Sequence, residues 1–234
     1  MAEHDDAASW RSDEGIAAWL STSGDREARR VHQRRLMAEL LGFADDDPFV
    51  VVDLGAGTGA AARAVLDRYP RSSAVLVDFS RQMADAGRRA LEPYEGRFRY
   101  VEHDLAGGGA WPDGVPDHVD AVITSLVLHH LSGSRQQQLL AEVLGRLTPG
   151  GWFLDLDLLE AGDALVDEAW SRTADRLDPG ALAERQRRHE RHGSLQLTPL
   201  DRQLALLREA GFAAVDVYWK QLDTAILGGR RPAA

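Results

Sequence analysis

Three glycines at alternating positions, Gly55, Gly57 and Gly59, follow the apolar run Phe49 to Leu54 and precede an amphipathic segment. Glycine is needed where a backbone turns sharply and a ligand comes close. Val51-Val52-Asp53-Leu54-Gly55-Ala56-Gly57-Thr58-Gly59 therefore reads as a binding loop between a strand and a helix. Gly55, Gly57 and Ala60 satisfy the permissive dinucleotide pattern G-x-G-x-x-A, and Asp78, at the end of the next apolar run, stands where a ribose-binding acid belongs. A nicotinamide dinucleotide and another adenosyl ligand both fit these features. Asp53 separates the two. A carboxylate two residues before the first glycine opposes a pyrophosphate and suits a ligand with no phosphates and a cationic amino-acid end. A sulfonium nucleoside meets that description.

Other residues carry weaker chemical signals. His129-His130 follows a fourth apolar run, and an imidazole that titrates near neutrality can take a proton from an attacking hydroxyl or amine. The alternative is that the pair caps the strand and bonds the scaffold. Asp155 and Asp157 alternate on a strand and share one face, where they could shape a substrate pocket. With no evident third ligand, no metal is expected. His189 and His192, three apart beside Glu184 and Glu190, read as a solvated mixed-charge helix rather than a metal pair. Arg26, Arg29, Arg30, Arg34 and Arg35 are expected on an exposed helix face, although one of them could reach a ligand carboxylate. Tyr218 and Trp219 read as core or pocket wall, and Lys220 shows no partner.

The elements that must position these residues alternate in type. Predicted strands are Phe49 to Leu54, Ala74 to Val77, Phe98 to Glu102, Val119 to Ser125 and Trp152 to Leu158. Predicted helices are 59 to 69, Arg81 to Leu91 and Ser134 to Leu147. Thr148-Pro149-Gly150-Gly151 reads as a turn before the fifth strand, and the Gly107-Gly108-Gly109 patch as a loop before the fourth. Residues 160 to 198 break the rhythm with two polar helices around Asp178-Pro179-Gly180. Pro199 to Ala210 is a helix closed by Gly211. Phe212 to Trp219 and Thr224 to Leu227 are strands separated by a short turn, so they form a hairpin. The alternation implies a parallel sheet covered on both faces.

With these residues in place, the chain resembles the class I S-adenosylmethionine-dependent methyltransferases over about residues 30 to 230, in the manner of small-metabolite enzymes of bacteria. Asp53 to Gly59 resembles that family's first motif, and Asp78 its ribose acid. Phe79 and Met83 lie where the family packs apolar groups against adenine. His103-Asp104-Leu105 resembles the segment after the third strand, in which the acid meets the adenine amino group. Asp120 to Leu131 resembles the fourth-strand motif, and Leu147 to Gly151 the turn before the fifth strand. The resemblance implies a doubly wound α/β, Rossmann-like domain. Its seven-stranded sheet would have the order 3-2-1-4-5-7-6, with strand 7 antiparallel. Residues 1 to 45 would form a helical lid and 160 to 198 a helical insertion over the substrate.

The resemblance also implies S-adenosyl-L-methionine as cofactor, with S-adenosyl-L-homocysteine as product. The cofactor would be held by Asp53, Gly55, Ala56, Gly57, Gly59, Asp78, Phe79, Met83, Asp104, Leu105 and Ser125. Direct displacement would pass the methyl group to a small molecule of the secondary-metabolite kind, with His129 and His130 as candidate bases. Two alternatives stay open: an NAD(P)-dependent oxidoreductase, for which no Tyr-x-x-x-Lys pair is present, and a catalytically silent S-adenosylmethionine-binding protein.

Composition narrows the field further. The 234 residues are 44% hydrophobic and 27% charged, the balance of a globular domain. A net charge of −10 argues against a surface that coats nucleic acid. The absence of cysteine excludes a thiol nucleophile, disulfides and thiolate metal centres. No apolar run reaches the length of a membrane span, and Glu3, Asp5 and Asp6 do not suit a signal peptide. The expected location is the cytoplasm.

Overall fold

The computed structural model describes Glu14, Ala17 and residues 30–107, 111–177 and 196–233. The readings placed on Arg26, Arg29, Gly108, Gly109, Asp178-Pro179-Gly180, His189 and His192 lie outside the described residues. A helix over residues 30–40, here α1, leads into the strand and helix series. The order that follows is β1 (Val50–Leu54), α2 (Ala60–Arg68), β2 (Ser73–Asp78), α3 (Arg81–Ala90), β3 (Phe98–Glu102), β4 (Val119–Ser125), α4 (Gly133–Arg146), β5 (Leu147–Leu158), α5 (Ala164–Leu177), α6 (Leu200–Ala210), β6 (Ala213–Gln221) and β7 (Thr224–Arg230).

The seven strands form one sheet of order β3-β2-β1-β4-β5-β7-β6. The first five are parallel, and β7 runs antiparallel between β5 and β6. This is the topology implied by the resemblance. The hairpin ending explains the antiparallel pair, because Leu222 and Asp223 are too few residues for a crossover to a parallel strand.

Strand alternation divides the buried side chains between two cores. Val52, Leu54, Leu139, Leu140, Phe153, Leu206, Leu207 and Leu227 pack on the face covered by α4 and α6. Met37, Val51, Ala62, Val65, Tyr69, Ile123, Leu154 and Leu156 pack on the face covered by α1 and α2. Parity therefore puts Asp53 on the α1/α2 face and both Asp155 and Asp157 on the α4/α6 face. The caps follow the chemistry of their sequences. The Ser80 and Ser132 side chains accept from Met83 N and Arg135 N at the starts of α3 and α4. Gly211 ends α6 with φ 102°.

Three local expectations need correction. The Thr148-Pro149-Gly150-Gly151 segment belongs to β5 itself, which begins at Leu147. The β4–β5 register shifts between Val119 and Ala121, an irregularity that absorbs the proline and glycines without ending the strand. The arginine cluster is not uniformly exposed. Arg35 lies in solvent while Arg34 is buried, on the side of α1 that faces the sheet. Lys220, which shows no partner in the sequence, lies 4.4 Å from the centre of the Trp170 ring and donates to Leu222 O at 2.8 Å.

Candidate cofactor and catalytic site

The loop after β1 is built by three glycines with φ of 68°, 53° and 78°, at Gly55, Gly57 and Gly59. A Cβ on Gly55 would overlap the Val127 side chain, and one on Gly59 would approach Leu91 and Leu76 within 2.8 Å. A Cβ on Gly57 would meet nothing within 4 Å. The outer glycines are thus required by packing. The middle one leaves open space in a bend whose only other demand is its positive φ.

Two carboxylates flank this loop. Asp78, at the end of β2, accepts from Gly57 N through Oδ2 and from Ser80 N through Oδ1, both at 2.8 Å. Burial pushes its carboxyl above the ordinary range, and these two backbone donors act against that change. Asp53 is almost fully buried. Its Oδ2 accepts from Ala62 N at 3.0 Å, while Oδ1 has no partner. Burial pushes Asp53 up to about 7, opposed by the Ala62 bond and the Arg34 charge and assisted by the Asp78 charge. Sequence alone does not link Arg34 to Asp53 in particular. The relevant signal is its position on α1 opposite the loop, and helix rotation is fixed only by packing.

Tyr100, on β3, is a residue that sequence reasoning misses. Its hydroxyl donates to Gly57 O at 3.1 Å, and it packs directly on Gly87 of α3. The ring therefore locks the glycine loop to a neighbouring helix. A Cβ on Gly87 would overlap the Tyr100 hydroxyl. Helix propensity alone would make Gly87→Ala stabilising by about 1 kcal/mol. The overlap should reverse that sign and give a net loss of about 1–3 kcal/mol, measurable by urea denaturation. Wild-type stability in Gly87→Ala would show that Tyr100 is free to move.

The remaining predicted ligand residues surround the same end of the sheet. Asp104 Oδ1 accepts from Ala106 N at 3.0 Å, and Leu105 is buried. The Leu105 carbonyl accepts from Arg135 Nε at 2.7 Å, and the same guanidinium grips both Glu142 oxygens at 2.8 and 3.0 Å. This buried fork ties the loop after β3 to α4. Met83 is buried and Phe79 half-buried beside the start of α3. Ala56 N donates to Val77 O at 3.0 Å. Ser125 ends β4, and its buried hydroxyl has no partner. Leu126 follows with φ 64°, a left-handed conformation costly for leucine, and redirects the chain into the single turn Leu128–His130.

That turn separates the two histidines. His129 is buried, whereas His130 is exposed with its ring centre 4.1 Å from that of His129. The His129 ring Nδ1 bonds Asp157 Oδ1, and the His129 backbone N donates to Asp157 Oδ2 at 3.0 Å. Leu158 N adds a third bond to this carboxylate at 2.8 Å. In the sequence the histidines and the strand acids are separate signals. Register joins them. Ser125 lies opposite Leu156 in the parallel pair, so the turn after β4 comes level with Asp157.

His129, Asp155 and Asp157 line one cavity between the sheet, α4 and α6. It is walled by Leu128, Leu140, Phe153, Leu206, Leu207 and Leu227, and has an empty volume of about 340 Å³ counting its open mouth. Gln136, Gln196 and Gln203 complete the lining. Asp155 is buried with its Oδ1 unpartnered, and burial followed by the Asp157 charge raises its pKa well above the ordinary carboxylate range. Among the described residues, no three His, Asp or Glu side chains come together as a metal-holding group, and no helix is long and apolar enough to cross a membrane.

Residues 52–153 match a family described as a methyltransferase domain. Over 126 residues the chain is 32% identical to acetylserotonin O-methyltransferase from Gallus gallus, covering 53% of this chain and 35% of that one. Over 106 residues it is 35% identical to trans-aconitate 2-methyltransferase from Azoarcus sp. (strain BH72), covering 45% of this chain and 38% of the relative. The chain thus spans little more than a third of the length of these curated relatives. Among solved structures, human N-acetylserotonin methyltransferase in complex with SAM superposes with a TM-score of 0.67. It has 20% identity and covers 100% of this chain and 60% of the human one.

Proposed function

We propose that this chain, whose residues 52–153 match a methyltransferase-domain family and whose sheet has the order β3-β2-β1-β4-β5-β7-β6, is a class I S-adenosylmethionine-dependent methyltransferase that moves a methyl group from S-adenosyl-L-methionine to an oxygen of a small molecule. The observation that carries the cofactor reading is the unpartnered, buried Asp53 Oδ1 beside the open Gly57 bend. A lone buried acceptor calls for a donor, and a cationic amino-acid end supplies one. A pyrophosphate would meet Asp53 unfavourably. Asp78 has the place and chemistry to accept from ribose hydroxyls, Asp104 and Leu105 to meet adenine beside Phe79 and Met83, and Ser125 to contribute its idle hydroxyl. Residues 1–45 and 160–198 are assigned as helical cover over this end of the sheet. Cofactor and acceptor are both taken to be small cytoplasmic molecules, with no membrane or nucleic-acid partner.

A bound sulfonium supplies an activated methyl group with its leaving group already attached. The protein's share is to align the acceptor, exclude water and manage one proton. With Nδ1–H directed at Asp157, the His129 imidazole keeps Nε2 as the proton acceptor for an acceptor hydroxyl. His130 is exposed and is not assigned the proton. An oxygen acceptor agrees with the O-methyltransferase named above and with a base backed by a carboxylate.

Calorimetry with S-adenosylhomocysteine and NADH side by side tests the cofactor reading. The expected result is S-adenosylhomocysteine binding alone, and NADH binding in its place would overturn the methyltransferase assignment. Turnover of S-adenosylmethionine with a panel of phenols and carboxylic acids then separates an enzyme from a silent binder. In that assay Asp157→Asn, which turns an acceptor of the Nδ1 proton into a potential donor, should lower kcat by about a hundredfold while leaving S-adenosylhomocysteine affinity unchanged. An unaltered kcat would remove His129 from the mechanism.

A further inference from the structure

The cavity beside His129 is furnished with acceptors. Gln203 points its amide nitrogen at the Leu158 and Thr198 carbonyls, at 3.2 and 3.4 Å, and its Oε1 is left buried without a partner. Gln136 likewise commits its amide nitrogen to the Leu128 and Leu131 carbonyls, at 2.9 and 3.0 Å. Asp155 adds a carboxylate that is 2% exposed and whose Oδ1 has no partner. Both orphaned oxygens belong to residues that line this one cavity, together with the acid Asp157. Buried acceptors are ordinarily satisfied, and these two oxygens are not, although the His129 ring and the Gln196 side chain line the same cavity. Leu128, Leu140, Phe153, Leu206, Leu207 and Leu227 make up the rest of the wall beside Gln196 and offer packing but no hydrogen.

We propose that this cavity is the acceptor-recognition subsite, and that it selects substrates carrying a protonated amine, whose ammonium head is held by Asp155 and Gln203. The inference rests on the methyltransferase reading above and adds the substrate class. An ammonium brings three donors and a positive charge. It can satisfy both orphaned oxygens while offsetting the charge of the acid pair. A neutral hydroxyl brings one donor and no charge. A carboxylate brings none, and it would enter beside two acids. The enclosed part of the cavity suits a head of this size, and the carbon skeleton leaves past the apolar walls toward the open mouth. The titratable groups lining the cavity among the described residues are Asp157 on the same strand and His129 from the turn after β4. The residues that α4, α6 and β7 contribute are uncharged. Burial and the Asp157 charge raise the Asp155 pKa, and an ammonium favours the carboxylate form, so ammonium binding should shift the site toward proton release.

The test uses three phenols on one skeleton: tyramine, 4-(2-hydroxyethyl)phenol and 4-hydroxyphenylacetate, which differ as cation, neutral and anion. Each is titrated by calorimetry into the full chain saturated with S-adenosylhomocysteine, in two buffers of different ionisation enthalpy. The expected order is tyramine about tenfold or more tighter than the neutral analogue, with the anion weakest and a proton released only by tyramine. Asp155→Asn and Gln203→Met should each close the gap between tyramine and the neutral analogue. Neither should alter S-adenosylhomocysteine affinity, which also reports that both variants are folded. Equal affinity for the cation and the neutral analogue, no tyramine binding, or a gap that survives Asp155→Asn would each overturn the subsite. Such a result would show Asp155 to be a protonated core acid that bonds its own surroundings. Failure of S-adenosylhomocysteine itself to bind would strike the methyltransferase reading instead, so the two failures are distinct.

Discussion

Asp78→Ala should weaken S-adenosylhomocysteine binding by about a hundredfold to ten-thousandfold, since two hydrogen bonds to a charged group at roughly 1.5–3 kcal/mol each are removed. Part of the loss comes from the loop. In the folded chain this carboxylate already accepts from Gly57 N and Ser80 N at 2.8 Å. It therefore shapes the glycine bend as well as facing the proposed ribose. Alanine leaves both backbone donors without their acceptor, and the bend loses one of its ties to β2 while keeping those from Gly55 N and Ala56 N to Val77 O. Asp78→Asn separates the two contributions, because its one amide oxygen can keep a backbone bond while the second acceptor is lost. Its affinity should fall between those of wild type and Asp78→Ala. Calorimetric titration of the three proteins measures the series, and wild-type affinity in Asp78→Ala would show that the ribose lies elsewhere.

Asp53→Asn should move stability and binding in opposite directions. The Asp53 carboxyl is raised to about 7 in the folded chain by burial, against an ordinary value of 3.8. A raised carboxyl favours folding fully below its unfolded pKa, and that contribution fades as pH rises through the folded one. For Asp53 the window runs from about pH 4 to pH 7. Above it the native state carries a buried charge. At about 1.4 kcal/mol for each tenfold change in acidity, that charge costs up to about 4 kcal/mol. Asparagine keeps an oxygen for Ala62 N and carries no charge. The variant should therefore gain stability over wild type increasingly between about pH 5 and pH 8 by scanning calorimetry.

The same substitution removes the carboxylate proposed to meet the cofactor's ammonium. Wild-type affinity for S-adenosylhomocysteine should fall as pH drops below about 7, and Asp53→Asn should be weaker at about pH 8 and flat with pH. Parallel pH curves for the two proteins would separate Asp53 from the ligand and leave it a purely structural acid. A variant that is more stable yet binds less well is the signature of strain retained for function.

Much of this is legible in the sequence. Alternating apolar runs and amphipathic segments carry their own periods, so the strands and helices can be placed within a few residues. The hairpin Phe212 to Leu227 announces the antiparallel seventh strand because its connection is too short for anything else. Gly55, Gly57 and Gly59 declare a bend at the end of β1 because backbone conformation is a property of single residues. Asp53 and Asp78 can be singled out by their places beside the glycine loop and at a strand end, and Asp104 by the family resemblance of His103-Asp104-Leu105. The segment Thr148 to Gly151 misleads, since a proline and two glycines usually end a strand, and here an irregular register carries them inside it.

Pairings across the fold are settled by the tertiary structure alone. Nothing local relates His129 to Asp157, 28 residues later. They meet because β4 and β5 pair with Ser125 opposite Leu156, and a shift of one residue would turn Asp157 to the other face of the sheet. Nothing local distinguishes Arg34 from Arg35. The rotation of α1 that buries Met37, Ala38 and Leu41 decides that Arg34 faces Asp53. Tyr100 reaches Gly57 and Gly87 only because β3 lies beside β2. The sequence by itself determined which residues have the conformations and functional groups for a cofactor loop, since these are written in the chain one residue or one short period at a time. Which groups share a charge, a proton or a cavity was decided by register and helix rotation, which minimise voids and unpaired polar atoms over the whole core at once.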